Sequence, residues 1–359
     1  MAIKLQTLVI CPFNSLPKVY ELWNQVACNS QVTFFNDWPW VSCWLTSLPK
    51  SIDIKFIVNL ENDVPISCFF VGMRKNVENK FKKVRGYINN TGKEEFDDLV
   101  VEYNTLLCSS NNSNQHLLKV FDAIPKLEEI RLTHNHNLTF SRLTDFYIRT
   151  TQSPSYWVDL SVVNTASSYR KQLSANTRRQ LNQSLNYYNK MYGEITIDIA
   201  KTLDVALCYL DNLKKLHQKY WKVKDKDGAF STSYFCNFHE NFIRENFANN
   251  SIQLIKVCAG KTDIGYLYNF IYRGEVLFYQ SGFNYLNDNK CRPGLIAHMK
   301  AIEKCAELEL KKYNFLVGDT RYKKSLSTHS DLLKSFTISK KSLKSYTEVI
   351  LRKINSIKS

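Results

Sequence analysis

One stretch of the sequence, residues 252–327, constrains the fold more than any other because it predicts a fixed order of strands and a helix. It begins with three predicted strands, at residues 252–258, 264–272 and 276–282. Turns that contain Gly260 and Gly274 separate these strands. A mostly polar loop over 284–292 follows, and after it come a helix and a fourth strand at 313–317.

The helix after the polar loop is predicted to point its N-terminus at whatever leaves the last strand. Its first turn contains Pro293 and Gly294. Its apolar residues recur at spacings of four, three, four and four: Leu295, Met299, Ile302, Ala306 and Leu310. The first backbone N–H groups of a helix have no partner within it, so this N-terminus is suited to a phosphate.

The order of elements extends upstream, and the first half of the chain repeats it less clearly. A strand at 194–199 and helices at 204–221 and 233–247 precede the stretch, so the second half reads β-α-α-β-β-β-α-β. In the first half, strands are predicted at 4–10, 54–60, 66–73, 84–88 and 127–132. Three helices are predicted there as well: one at 18–28, one that begins directly after Asp37, and one at 115–124. A chain of 359 residues also exceeds what one core usually serves. We therefore expect two domains, with a boundary in the polar segment 150–155.

Five short motifs occur in the order that one known family shows. They are residues 216–221 (LHQKYW), 228–230 (GAF), 279–283 (YQSGF), 292–294 (RPG) and 318–323 (GDTRYK). Together they resemble the acyl-CoA-dependent acetyltransferases of the cellulose-biosynthesis type. Those enzymes belong to the GNAT superfamily and are distantly related to Fem-type peptidyltransferases, which use aminoacyl-tRNA. The resemblance covers residues 156–326.

The resemblance implies a mixed α/β fold with tandem GNAT-like domains, each a mixed β-sheet flanked by helices. Residues 1–150 would form an N-terminal domain without catalytic activity, and residues 156–326 the catalytic acyltransferase domain. Residues 327–359 would form a basic C-terminal segment that packs back on the fold. In a GNAT fold the strand before the phosphate loop splays from its neighbour, and by the matched order that strand is 276–283.

The activity implied is transfer of an acyl group from acyl-CoA, most simply acetyl-CoA, to an amine or hydroxyl of a polar acceptor. A saccharide or a cell-envelope precursor would be such an acceptor. Fem-like transfer from aminoacyl-tRNA is the alternative, because the motif at 292–294 has one glycine where the usual GNAT phosphate loop has two. A second alternative is a basic nucleic-acid-binding protein without catalytic activity, although no signature of a common nucleic-acid-binding fold is present.

Three residues are candidates for the chemistry. His217 has the right intrinsic pKa for a general base, but it lies on the apolar stripe of its predicted helix and could equally be a core histidine. Asp319 follows a predicted strand, where it could orient the acceptor, act as the base or cap a turn. Tyr322 could protonate the leaving thiolate or bind the ligand.

Six residues are candidates for holding the donor. The resemblance places Gln280, Ser281 and Gly282 on the strand whose backbone holds the pantetheine arm, and Gly282 would let the cofactor approach closely or would mark a bulge. Arg292 and Gly294 would bind the pyrophosphate at the helix N-terminus. A further candidate, Lys323, is expected to be an exposed loop lysine that contacts an anion.

The charge of the chain, +15, favours polyanionic partners such as CoA, a nucleotide-sugar, tRNA or an acidic membrane surface. A solvated, lysine-rich surface is the simpler interpretation, and the same two interpretations apply to the basic face of a predicted helix over 168–192. That face carries Arg170, Lys171, Arg178 and Arg179.

The sequence also indicates the compartment and argues against a metal. Its ten cysteines have no regular spacing, which is typical of reduced thiols. No apolar run is long enough to cross a bilayer and no signal peptide is evident, so we expect a cytoplasmic protein. His134 and His136 lack a nearby cysteine or carboxylate, and we therefore predict no metal site.

Overall fold

The computed structural model of the protein describes residues 4–75, 83–109, 113–140, 144–163 and 166–342, together with Tyr346. The chain divides into two compact units. The first unit comprises Met1–Ser153 and Leu333–Ser359, and the second comprises Pro154–Leu332. Of the basic C-terminal segment, the structure describes residues 327–342 and Tyr346, and the remainder lies outside the described residues.

The first unit follows the predicted order of elements, with two short additions. Its elements are β1 (Leu5–Ile10), α1 (Leu16–Ala27), α2 (Trp38–Ser47), β2 (Ile54–Glu61), β3 (Val64–Lys75), β4 (Val84–Ile88), α3 (Glu94–Asp97), β5 (Leu107–Cys108), α4 (Ser113–Leu118), α5 (Val120–Ala123) and β6 (Leu127–Asn135). The additions that the sequence did not predict are α3 and β5. The helix predicted at 115–124 is divided between α4 and α5.

The second unit contains the last six residues of β7, from Pro154, and most of the elements that follow it. These are β7 (Phe146–Asp159), α6 (Ala166–Gln172), α7 (Ala175–Tyr192), β8 (Ile195–Ile199), α8 (Leu203–Val223), α9 (Ser233–Asn246), β9 (Ile252–Ala259), β10 (Thr262–Tyr272), β11 (Glu275–Phe283), α10 (Pro293–Glu307), β12 (Lys312–Val317), α11 (Arg321–Leu326) and β13 (His329–Lys340). The helix predicted at 168–192 is broken, because the hydroxyl of Ser174 accepts from the backbone N–H of Thr177 and so starts a new helix. From Leu333 onwards, β13 belongs to the first unit.

Each unit has a mixed sheet flanked by helices, which confirms the predicted fold class. In the first unit the strand order is β1-β2-β3-β4-β6-β13, and β5 pairs with β3. In the second unit the order is β8-β9-β10-β11-β12-β7. All the described pairs within these two sheets are antiparallel except β4 with β6 and β11 with β12, which are parallel.

Helix α10 supplies much of the second unit's core. Its buried residues include Leu295, Met299 and Ile302 of the predicted stripe, and they pack with Val276 and Phe278 of β11. Burying such side chains is worth roughly 1.5–3 kcal/mol each, so this stripe fixes the helix against the sheet. Because Pro293 begins the helix, its N-terminus lies directly after the loop that leaves β11.

The parallel pair β11 and β12 separates along its length, as the resemblance predicted. The described pairing covers three residues of each strand, from Glu275 opposite Lys312 to Leu277 opposite Asn314. Strand β11 continues for six residues beyond that ladder, to Phe283. The opening between the two strands forms the candidate site.

Among the described residues, no helix is both long and apolar enough to span a bilayer.

Candidate active site

A cavity of about 620 Å³ lies at the opening between β11 and β12. Side chains from α8, α10 and α11 complete its wall. Seven of the nine site residues predicted from the sequence line it: His217, Gln280, Ser281, Arg292, Gly294, Tyr322 and Lys323. The other two, Gly282 and Asp319, are not among the lining residues.

His217 projects from α8 to the edge of β11. Its Nδ1 atom lies 2.9 Å from the carbonyl oxygen of Ser281. A carbonyl can only accept, so Nδ1 carries the proton and Nε2 carries the lone pair. Nε2 is buried and has no hydrogen-bond partner within the part of the chain that the structure describes. The imidazole therefore presents an unused base, which is the arrangement that proton abstraction requires.

The pKa of His217 is set mainly by its surroundings. Burial lowers the pKa below 6.5, and the hydrogen bond to Ser281 partly opposes that effect. The ring is therefore neutral at physiological pH. Phe230 meets it edge-on, with ring centroids 5.2 Å apart.

The GAF motif holds His217 in place through a glycine. A Cβ at Gly228 would lie 2.2 Å from Oε1 of Gln218 and 2.9 Å from Cδ2 of His217. Only glycine lets the loop after α8 approach these side chains so closely. The motifs at 216–221 and 228–230 thus form one packed unit around the candidate base.

The N-terminus of α10 borders the same cavity. Pro293, Gly294 and Leu295 lie in its first turn, where the helix itself supplies no acceptor for the N–H groups. The backbone N–H of Arg292 donates to Ser184 Oγ (3.1 Å), and its guanidinium donates to Gln183 Oε1 (3.2 Å). Helix α7 therefore orients this arginine at a helix end that favours anions.

Lys323 lies on α11 and is buried, in contrast to the exposed loop lysine expected from the sequence. Its ammonium donates to the carbonyl oxygens of Val317 (2.6 Å) and Leu316 (3.4 Å) at the end of β12. The ammonium can be buried because two backbone carbonyls compensate the desolvation of its charge. Lys323 and Arg292 are the charged side chains among the lining residues, which include no carboxylate, so the cavity favours an anion.

Tyr322 is mostly buried beside the cavity. Its ring stacks on that of His298, with centroids 5.3 Å apart and planes inclined by 12°. Burial raises the pKa of Tyr322 above its usual value near 10, so the phenol keeps its proton. It therefore stays a neutral phenol that can donate a hydrogen bond into the cavity.

The structure gives Gly282 and Asp319 other surroundings than the sequence suggested. A Cβ at Gly282 would lie 2.3 Å from the carbonyl oxygen of Leu213, so the close approach of helix α8 requires a glycine here. Asp319 is exposed and accepts a hydrogen bond from the hydroxyl of Tyr156 (3.1 Å). A strand end predicts a loop carboxylate but not the direction in which it points.

Sequence reasoning missed His298 and the aromatic part of the wall. His298 is fully buried on α10, and burial with the nearby Lys323 lowers its pKa to about 3. It falls within the apolar stripe of the helix, where nothing in the pattern distinguishes it from a core residue. The stacked pair Tyr220 and Tyr285, with centroids 4.8 Å apart, also lines the cavity.

Across the residues that the structure describes, no group of three or more histidine, cysteine, aspartate or glutamate side chains is arranged to hold a metal ion.

The comparisons with known proteins agree with this geometry. Residues 175–324, which lie within the second unit, match the family model described as "Acetyltransferase (GNAT) domain". The chain is similar in structure to FemX, with a TM-score of 0.55 and 9% identity over 89% of this chain and 95% of that one. No curated protein sequence matches the chain.

Two further solved structures are comparable. One is the C-terminal domain of a putative lysylphosphatidylglycerol synthetase from Agrobacterium fabrum, with a TM-score of 0.53 and 7% identity over 94% of this chain and 96% of that one. The other is a conserved protein of unknown function from Bacteroides thetaiotaomicron, with a TM-score of 0.50 and 10% identity over 91% of this chain and 98% of that one. Identities this low show a shared fold alone. Residues 175–324 thus have a GNAT-like acyltransferase fold, and the finer likeness to the cellulose-biosynthesis enzymes stays a prediction.

Proposed function

We propose that the second unit transfers an acyl group from acyl-CoA, most simply acetyl-CoA, to an amine or hydroxyl of a polar acceptor such as a saccharide or cell-envelope precursor. The observation that carries the proposal is the unpartnered Nε2 lone pair of His217 in a cavity between two separating parallel strands. The ten cysteines are all free thiols, which suits the cytoplasm, where acyl-CoA is available.

The donor would lie along β11 with its phosphates at α10. Gln280 and Ser281 line the cavity on the part of β11 that extends beyond the parallel ladder, and the pantetheine arm would lie along this part of the strand. The carbonyl of Ser281 already accepts from His217 Nδ1, so the donor would also lie beside the candidate base. Arg292 and the first N–H groups of α10 would bind the pyrophosphate. Lys323 adds a second positive charge on the cavity wall.

The chemistry follows from the protonation states. A neutral amine or hydroxyl attacks the thioester carbonyl while His217 Nε2 takes its proton. The tetrahedral intermediate then collapses, the C–S bond breaks, and the leaving thiolate takes the proton from the imidazolium of His217, directly or through solvent. The products are an amide or ester and free CoA, His217 is neutral again, and Tyr322 would donate a hydrogen bond to the leaving sulfur without losing its proton.

The first unit, in this proposal, has no catalytic role. Its parallel ladder pairs four residues of β4, from Val84 to Tyr87, with β6. The buried guanidinium of Arg85 forms an ion pair with Glu129 (3.1 Å) across these two strands. The described parallel ladder of the first unit thus pairs four residues of its strand, one more than the ladder of the second unit.

Calorimetry with CoA, acetyl-CoA and deacylated tRNA tests the donor. We expect saturable binding of both CoA forms, weakened about tenfold or more by Arg292→Ala because a charge-assisted hydrogen bond is worth about 1.5–3 kcal/mol. Arg244→Ala is the matched control, since Arg244 is an exposed arginine paired with Glu240 on α9. Transfer is then measured by mass spectrometry of candidate acceptors.

Fem-like aminoacyl transfer is the second candidate, favoured by the single glycine at 292–294 and by the fold shared with FemX. Tight tRNA binding without a CoA signal would reverse the ranking. If nucleic acids of any kind bound with a steep salt dependence and acyl-CoA gave no thermal shift, a non-catalytic binding protein would be the better description.

A further inference from the structure

Strand β12 contains a β-bulge where it leaves β11. Asn314 pairs with Trp157 of β7, and Val317 pairs with Ser155, so two residues of β12 face one residue of β7. Asn314 is also the last residue in the parallel ladder with β11. The bulge therefore begins where the cavity opens.

The bulge places a leucine in a conformation that leucine avoids. Leu316 is buried and has a φ of +60°, in the left-handed region. Such a residue costs about 1–3 kcal/mol and persists only where its surroundings hold it. Here the backbone N–H of Leu316 donates to Oδ1 of Asn314 (2.8 Å), which also accepts from the hydroxyl of Ser155 (3.3 Å).

The bulge brings two successive carbonyls to one cation. In a regular strand, consecutive carbonyls point to opposite sides, so one ammonium could not reach both. With Leu316 left-handed, the carbonyls of Leu316 and Val317 both accept from Nζ of Lys323. The strained residue is thus part of the site that holds this buried charge.

The first unit provides an internal comparison. Its strand β6 has a bulge of the same form, with Leu132 opposite Phe336 and Asn135 opposite Lys334. The left-handed residue there is His134, whose carbonyl accepts from the backbone N–H of Asn104 (3.2 Å). The bulge thus recurs in both units. In the second unit, however, the carbonyl of the left-handed residue, Leu316, accepts from the ammonium of Lys323, which lines the cavity.

We propose that Asn314 is a positioning residue: its side chain holds Leu316 left-handed, and the carbonyls of Leu316 and Val317 then fix the ammonium of Lys323 on the cavity wall. The role of Lys323 as a contact for the anionic donor rests on the proposed function. The way in which the two carbonyls hold the ammonium of Lys323 does not depend on the proposed function, and this geometry is tested separately.

The first test compares donor affinity with stability. Asn314→Ala should weaken CoA binding, measured by calorimetry, about tenfold, which corresponds to about 1.4 kcal/mol. Asn269→Ala is the control, because Asn269 is a fully buried asparagine on β10 that bonds to Gln253. It should lower the Tm by a similar amount and leave CoA affinity unchanged. Equal Tm losses with unchanged CoA affinity in both variants would overturn the proposal.

Rescue by glycine separates positioning from stability. Glycine adopts a positive φ without support, so adding Leu316→Gly to Asn314→Ala should recover at least about threefold in CoA affinity. The same change removes a buried leucine and should lower the Tm further. Affinity and stability would then move in opposite directions, whereas a merely structural role predicts that both decline.

Two further measurements complete the test. If Asn314 acts through Lys323, Asn314→Ala should cost no further CoA affinity in a Lys323→Met background, and fully additive losses would refute that route. The rate at which acetic anhydride acetylates Lys323, followed by mass spectrometry, should rise in Asn314→Ala and not in Asn269→Ala. An unchanged rate would overturn the proposal even if CoA proved not to be the donor.

Discussion

The buried imidazole of His298 makes the stability of the protein depend on pH by an amount that can be worked out. Its ring stacks on Tyr322, its Nδ1 lies 3.1 Å from the hydroxyl of Tyr313, and its Nε2 has no partner among the described residues. Burial, with a smaller contribution from the charge of Lys323, lowers its pKa from 6.5 to about 3. The folded protein therefore resists protonating this side chain.

Acid destabilises the folded protein, because the folded and unfolded chains bind protons to His298 at different pH values. In the unfolded chain the pKa of His298 is near 6.5, so below that pH the unfolded state binds a proton that the folded state does not. The free energy of unfolding is thus unaffected above about pH 6.5 and falls as the pH drops from there towards 3. At about pH 5 the loss is about 2 kcal/mol, from about 1.36 kcal/mol per unit over about 1.5 units.

Urea unfolding of the wild type and His298→Gln at about pH 7.5 and about pH 5 measures this loss. Four other histidines have lowered pKa values and affect both proteins alike: His116, His134, His217 and His239. The wild type should therefore lose about 2 kcal/mol more than the variant on acidification. His136→Gln, at an exposed position, should keep the wild-type difference. An identical pH dependence in wild type and His298→Gln would refute the reasoning.

Three other changes have expected outcomes. His217→Ala should lower turnover by ~10²–10⁴ with little change in CoA affinity. The activity of the wild type should fall as the pH drops below 6.5, because the imidazole then becomes protonated. A lower Tm with normal turnover per folded molecule would instead make His217 a core residue. Gly282→Ala should cost about 1–3 kcal/mol in urea unfolding, because the new Cβ meets the backbone of Leu213. Asp319→Asn should leave turnover within about threefold, as for other exposed positions, and a larger loss would assign the carboxylate a part in the chemistry.

The order of elements could be read from the sequence because each element carries its own periodicity. The stripe on α10 and the turns between β9, β10 and β11 are local signals, and the structure agrees with them. The short β5, the long β7 and β13 were missed. Their pairing partners are distant in sequence, as β13 with β6 illustrates, and a local pattern carries no information on such pairs.

The candidate site could be predicted as a set of residues but not as a geometry. The motifs identified seven residues that the structure brings to one cavity. They could not show that Lys323 is buried on carbonyls, because that depends on a bulge 6 to 7 residues away along the chain. Nor could they show that Gly282 serves a helix, since the contact with Leu213 spans the space between α8 and β11.

The two units show why the same order of elements need not produce the same site. Strand β4 has five residues, and its parallel ladder runs to Tyr87, one residue before its end. Strand β11 has nine residues, and its ladder stops at Leu277. Both partner strands carry a bulge with a left-handed residue, so the bulge alone does not open the sheet. The cavity between β11 and β12 lies where a long strand continues past the end of its ladder, so strand length together with the end of the ladder distinguishes the second unit from the first at this place.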